Sequence, residues 1–192
     1  YAKAEGESME FVACLEEDMR LEVAMSDHQV ALYRGGLKRL QDANEERDGR
    51  KRARLSFAAF HLMKAICAEP YCIPGRKFLV DERGVDAHLL NSRKMAWFLK
   101  ALESIRAFGN GDKVIVFTEL REVQNALAYF LRQTFGLKPF IINGDSQGRQ
   151  AYIDRFTESD GFNVIILSTL AAGAWLNVTA ANHVFHFTRA WN

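Results

Sequence analysis

The hydrophobic pattern of this chain changes rhythm near residue 111. Upstream, apolar residues recur every three or four positions, as in helices that bury one face. Downstream, short runs of β-branched and aromatic residues alternate with helical stretches. The downstream runs are 113–117 (KVIVF), 140–142 (FII), 164–167 (VIIL) and 183–187 (HVFHF). Two amphipathic segments separate the first three runs. One, at about 120–135, carries Val123, Leu127, Phe130 and Leu131 on one face and closes at Gly136. The other, at about 147–158, carries Ala151, Ile153 and Phe156. Strands alternating with helices predict a parallel sheet. Right-handed crossovers lay the helices against such a sheet and bring every strand's carboxyl end to one edge. The expected fold class is α/β.

Residues 1–19 mix acidic and apolar positions without a clean period, which leaves a weakly ordered lead-in or a short helix. Residues 20–25 then alternate charge and apolarity as a half-buried strand would. Ser26, Asp27, His28 and Gln29 follow with the spacing of a capping box, so a helix starts sharply there. Its stripe is Val30, Tyr33, Leu37 and Leu40, and it ends in the polar run 42–48. Next comes a basic cluster of Arg47, Arg50, Lys51, Arg52 and Arg54. Two readings stay open for it, a solvated connection between helices or a phosphate-facing patch.

Residues 54–68 carry Leu55, Ala59, Leu62 and Ile66 on one face and Phe60, Met63 and Cys67 beside it, a pattern that predicts a helix packed on two sides. His61 reads as a packing histidine, since no second histidine stands at metal-binding spacing. Pro70 and Pro74 end this helix and open an irregular connection to about residue 90, taken as a seam. After Asn91 and Ser92, either of which can cap, Met95, Phe98, Leu99, Leu102 and Ile105 define another helix, stopped by Gly109, Asn110 and Gly111. The expected division is a lead-in strand with a helical protrusion over 1–90 and an α/β core over 91–192.

Composition narrows the classes. With 48% hydrophobic and 26% charged residues in 192, the chain is expected to fold around one core, or one core plus a helical appendage. Its 25 Lys and Arg nearly cancel 24 Asp and Glu, so any surface for nucleic acid must be local. Cys14, Cys67 and Cys72 are an odd number without paired spacing, and no signal peptide leads the chain. They are expected to be reduced thiols of an intracellular protein. No apolar run approaches the roughly 18 to 20 residues that span a bilayer. A start at Tyr1 without methionine is expected of a fragment of something larger.

In open parallel sheets ligands bind beyond the carboxyl ends of the strands. The residues there are Thr118, then Asn143, Gly144 and Asp145, then Ser168 and Thr169, and lastly Thr188 and Arg189. Hydroxyls, a carboxamide and open glycine backbone suit oxygen contacts to an anion better than metal or nucleophilic chemistry, and no metal site is expected. Such residues are also common at strand ends and helix caps. Their joint occurrence with the small-residue turn Ala171, Ala172, Gly173 and Ala174 favours a phosphate-binding edge. Periodicity leaves open whether the phosphate belongs to a nucleotide or to DNA.

Several ordered motifs resemble the Swi/Snf-type DNA translocases of helicase superfamily two. KVIVFTE (113–119) is similar to that family's motif IV, INGDSQGRQAYIDRF (142–156) to the segment after it, and LSTLAAGAWLNVTAANHVFHF (167–187) to motif V. Upstream, VAMSDHQVALY (23–33), FHLMKAICAEPY (60–71) and SRKMAWFLKAL (92–102) resemble the second lobe and its helical protrusion, so the likeness covers about residues 20–192. It implies a RecA-like C-terminal motor lobe that grips duplex DNA and closes an ATP site against a first lobe. By position, Thr118, Gly144, Ser168 and Thr169 would contact DNA phosphates. Gly173, Trp175 and Asn177 would lie near the interlobe nucleotide. Arg149 matches the family's arginine after motif IV; an exposed helix residue paired with an acid is the other reading.

Phosphoryl transfer needs a phosphate cradle, magnesium ligands, a group that orients water and usually an arginine finger. The chain holds no GxxxxGK[ST] and no DExH box. The resemblance puts these on a first lobe, and puts the arginine fingers after Asn192. ATP and Mg2+ are therefore expected in the intact protein, bound mainly by the first lobe, with the lobe inactive by itself. Trp175 stands where the family has glycine; it could obstruct the cleft, stack on the nucleotide or turn into the lobe. Two rivals remain: a degenerate lobe kept for DNA or protein binding, and a lobe of another superfamily-two enzyme such as an RNA helicase. The motif wording leans bacterial, which implies a cytoplasmic, nucleoid-associated protein; otherwise it would be nuclear.

Overall fold

The structure, a computed structural model, describes residues 22–169 and 178–188. In chain order these residues form α1 (Asp27–Asn44), α2 (Gly49–Ala68), α3 (Val85–Asn91), α4 (Arg93–Ala107), β1 (Lys113–Phe117), α5 (Arg121–Phe135), β2 (Ile141–Ile142), α6 (Arg149–Glu158), β3 (Asn163–Leu167) and β4 (His183–His186). The strands make one sheet in the order β2-β3-β1-β4. Every pairing is parallel, with Val114 opposite Val164 and His183, and Ile142 opposite Leu167.

Alternation along β1 and β3 divides the core between the two faces of the sheet. Val114, Val116, Val164 and Ile166 meet Met95, Phe98 and Leu102 of α4 and Val123, Leu127, Phe130 and Leu131 of α5. Ile115, Ile165 and Leu167 point the other way, onto Ile142 and onto Ile153 and Phe156 of α6. Each fully buried aliphatic or phenyl group is worth about 1.5–3 kcal/mol. The stripe predicted for α5 is thus its buried face, and Gly136 ends the helix in the left-handed region at φ 70°. In α6, Ile153 and Phe156 are buried but Ala151 is exposed, because the helix turns only those two toward the sheet.

The N-terminal region differs more from its sequence pattern. Residues 22–25 form no strand; the chain runs into Ser26, whose hydroxyl donates to the Asn91 carbonyl at 2.7 Å. Ser26 caps α1 by accepting from the Gln29 amide at 3.1 Å. The reciprocal half of the capping box is absent, since the Gln29 side chain donates instead to the Ile66 carbonyl at 2.6 Å. α1 and α2 form a helical hairpin in which Gly36 meets Met63, so a Cβ on Gly36 would stand 2.5 Å from Met63 Cγ. Leu37 turns outward at 41% exposure.

α2 starts at Gly49, capped by the Asp48 carboxylate, which accepts from the amides of Arg50 at 2.8 Å and Lys51 at 3.2 Å. The basic cluster from Arg50 onward is therefore helical and not a connection. Nor is α2 packed on two sides: Ala59, Met63, Ala65, Ile66 and Ala68 are buried, while Leu55, Phe57 and Phe60 stay exposed. α2 turns its small and aliphatic residues toward α1 and the lobe, so apolar content alone overstates the burial of its second face.

The supposed seam also carries structure. It includes α3, and Ala65, Ala68 and Cys72 join the same buried cluster as β1 and α5. Beneath it lies a buried polar knot. His88 Nδ1 accepts from the Asp81 amide at 3.2 Å, which leaves Nε2–H to donate to Glu69 Oε1 at 3.0 Å. The Ser92 hydroxyl donates to the other Glu69 oxygen instead of capping α4. Burial raises the Cys72 thiol far above its ordinary range and raises Cys67 as well, so both behave as packing groups. Among the described residues, no helix is long and apolar enough to cross a membrane.

Adjacent glycines of α1 separate packing from propensity. A Cβ added to Gly35 would have open space around it, whereas one added to Gly36 would run into Met63. Gly35→Ala should stabilise by about 0.5–1 kcal/mol, the helix-interior preference of alanine. Gly36→Ala should destabilise, since overpacking typically costs about 1–3 kcal/mol. Urea denaturation reads both; equal stabilisation by the two changes would contradict the close approach of α1 and α2.

Candidate phosphate-binding edge

All four strands end on one side, and the last ladder bonds fix what emerges there. The Thr118 amide donates to the Leu167 carbonyl at 2.9 Å, the Ser168 amide to Ile142 at 2.9 Å and the Phe187 amide to Phe117 at 2.9 Å. The residues after β1, β2, β3 and β4 thus form a continuous rim. Lys94 of α4 supports it from below: its ammonium donates to the Phe187 carbonyl and lies 4.8 Å from the centre of the Phe187 ring. Burial holds the Lys94 pKa below the usual lysine range.

At the centre of the rim, polar groups satisfy one another. The Thr188 hydroxyl donates to Thr118 Oγ1 at 2.9 Å and accepts from the Glu119 amide at 3.2 Å. Thr118 has 0% exposure and Ser168 5%. The amide and hydroxyl of Thr169 both donate to one oxygen of the Glu119 carboxylate, the amide at 2.5 Å. Two donors that converge on one carboxylate oxygen make a seat for an oxyanion. Here the oxyanion is the chain's own.

The loop after β2 is held from both ends. Asn143 Oδ1 accepts from the Asp145 amide at 3.1 Å, and the Asn143 amide donates to Ser146 Oγ at 3.0 Å. Arg149, in the first turn of α6, reaches back to donate to the carbonyls of Ser146 and Gly144, each at 3.1 Å. Among the described residues it pairs with no acid, and it braces the backbone around exposed Gly144. Asp145 pairs instead with Arg121 at 2.5 Å, and that bond holds its carboxyl below the usual carboxylate range.

Of the residues singled out in the sequence, Thr118, Gly144, Ser168, Thr169 and Arg149 come together on this edge. Thr118 is enclosed, so its side chain supports the rim from within and offers no surface to a ligand. Gly173, Trp175 and Asn177 lie outside the described residues. Among the described residues, no group of three or more His, Cys, Asp or Glu could hold a metal ion.

Two residues escaped the sequence reading. Glu119 gave no signal, because its partner stands 50 positions away. Gln124 did give one: it sits three residues before Leu127 and seven before Leu131, a polar group on the apolar face of α5, where burial demands partners. At 1% exposure its amide donates to the Thr118 carbonyl at 2.9 Å, and its oxygen accepts from Asn143 Nδ2 at 3.1 Å. Gln124→Leu leaves both partners unsatisfied. It should cost about 1–3 kcal/mol and speed amide exchange over 143–146; unchanged stability and exchange would mean that Gln124 does not tie the rim together.

Comparison with known proteins gives this edge its context. The family described as the helicase conserved C-terminal domain matches residues 93–192. The chain is 38% identical over 179 residues to the Zorya protein ZorD of Escherichia coli, covering 89% of this chain and 16% of that protein. It is 30% identical over 174 residues to the putative ATP-dependent helicase/translocase YwqA of Bacillus subtilis, covering 88% of this chain and 18% of that protein. It therefore spans less than a fifth of these relatives. The fold matches the Sulfolobus solfataricus SWI2/SNF2 ATPase core in complex with dsDNA at a TM-score of 0.70 and 23% identity, over 88% of this chain and 34% of that one. The match over residues 93–192, more than half of the chain, makes it a member of the helicase conserved C-terminal domain family, and its parallel sheet in the order β2-β3-β1-β4 has the RecA-like fold of the SWI2/SNF2 ATPase core.

Proposed function

We propose that this lobe is the second half of an ATP-dependent double-stranded DNA translocase, and that its strand-end edge receives DNA phosphates. The observation that carries the reading is the seat at Thr169, where an amide and a hydroxyl already converge on an oxyanion. A DNA phosphate would take the place of the Glu119 carboxylate there. The exposed backbone at Gly144, braced by Arg149, would take a neighbouring phosphate. Thr118, Thr188 and Gln124 would keep the rim rigid, so that little ordering is required when DNA arrives. The Sulfolobus core of similar fold is in complex with dsDNA, which supports the choice of ligand.

In this reading a first lobe elsewhere in the parent protein carries the phosphate loop and the acidic box. ATP and Mg2+ supply the phosphoryl chemistry, and the present lobe helps to close the site through Gly173 and Asn177. Trp175 is the point at which that closure would fail if a side chain cannot be accommodated.

The test is ATP hydrolysis by the full-length parent, with and without duplex DNA, as the chain stands and as Trp175→Gly. The reading expects hydrolysis that rises with DNA when Trp175 is present. Activity only in the Trp175→Gly protein would make Trp175 an interruption of coupling. If both proteins bind DNA but hydrolyse nothing, the lobe is a binding module and not part of a motor.

A further inference from the structure

The basic cluster is the one sequence motif that the strand-end edge leaves unused. α2 runs 20 residues without a single Asp or Glu, yet carries Arg50, Lys51, Arg52, Arg54 and Lys64, in a chain whose 25 bases and 24 acids almost cancel. Arg50, Lys51 and Arg52 occupy its first turn, where the positive end of the helix dipole disfavours cations. Among the described residues, Lys51 is paired with Glu46 at 2.5 Å, while no salt bridge is formed by Arg47, Arg50, Arg52 or Arg54.

The spacing gathers these cations with an aromatic group. Ala59, Met63 and Ile66 are buried on the side of α2 toward the hairpin and the lobe. Arg50, Arg54, Phe57 and His61 fall at i, i+4, i+7 and i+11, on the opposite face. Phe57 is 70% exposed, and its ring lies 5.8 Å from that of His61. Apart from that contact, most of the Phe57 ring is left to solvent on the same helix face as Arg50 and Arg54.

We propose that this face of α2, with Arg47 and Arg52 at the tip of the hairpin, is a second contact to the backbone of duplex DNA. The inference rests on the reading of the lobe as part of a double-stranded DNA motor. Two features favour nucleic acid over an acidic protein segment; a third, that the cations are mainly arginines whose planar fork matches phosphate oxygens, would serve carboxylates as well. Arg50 and Arg54 stand about 6 Å apart along the helix axis, a length over which duplex DNA presents three to four phosphates at roughly one per 1.7 Å. Phe57 offers an apolar face for sugar or base between the charged groups. Because the strand-end edge already holds the duplex, a second contact on the same ligand gains from a raised local concentration.

The test measures the affinity of the full-length parent for a labelled duplex across a salt series, without nucleotide. Arg50→Gln with Arg54→Gln should lower the salt slope by about 0.9 per lost phosphate contact, so by close to two, and weaken binding on the order of tenfold. Arg50→Lys with Arg54→Lys should keep the slope. Phe57→Ala should weaken binding at an unchanged slope, while Lys138→Gln, an exposed charge on another loop, should change neither. All these positions are exposed, and a thermal melt checks that each variant folds. If the double glutamine protein keeps the parent's slope and affinity, the inference is overturned, and an acidic protein becomes the partner that fits the stripe. Failure of the parent itself to bind duplex DNA would overturn the reading of the lobe, a separate result.

Discussion

The structure depends on two central strands, β1 and β3, being hydrogen-bonded on both sides in the same direction. β1 pairs in parallel with β3 and with β4, and β3 carries β2 in turn. A parallel pair cannot be closed by a tight turn, so each connection must cross the sheet. The crossovers supply α5 and α6, which cover its two faces, and they return every strand with its carboxyl end on the same side. The two apolar clusters and the polar rim are both consequences of that pairing.

The rim is unusual less for its residue types than for how fully they are engaged. Thr188 holds Thr118, Gln124 links Thr118 to Asn143, and Arg149 holds the loop around Gly144. Buried polar groups that satisfy one another rigidify a site, whereas a single missing partner leaves an expensive orphan. At Thr169 the partner is a carboxylate, so a place on the rim whose donors converge on an anion is occupied by the chain's own charge. In the proposed function this contact must yield to a phosphate, which makes Glu119 part of the energetics of DNA binding.

Much of the core was legible because its signals are local. The period of Val123, Leu127, Phe130 and Leu131 names the buried face of α5, and the glycine after it marks the left-handed cap. All four strands were readable as runs of β-branched and aromatic residues, the second reduced to Ile141–Ile142, and the residues just after them do form one edge. What was not legible depends on distant partners. Glu69 meets His88 and Ser92 across 19 and 23 positions, so the stretch between Pro70 and Asn91 read as irregular although it is tied down and partly helical. The apolar content of α2 suggests two packed faces, but only the fold shows that Leu55, Phe57 and Phe60 stay exposed. Arg149 was expected either at a phosphate or at an acid; its nearest acceptors are the backbone carbonyls of the loop before it, which no pattern of residue types announces.

The central claim is that the strand-end edge is the surface that faces DNA. Hydrogen–deuterium exchange of the full-length parent, with and without duplex DNA, tests it most directly. The account predicts slower exchange on DNA binding at the Gly144, Asp145 and Thr169 amides, with little change on the opposite ends of the strands near Lys113 and Asn163. Protection confined to other surfaces, with this edge exchanging as it does in the free protein, would contradict it.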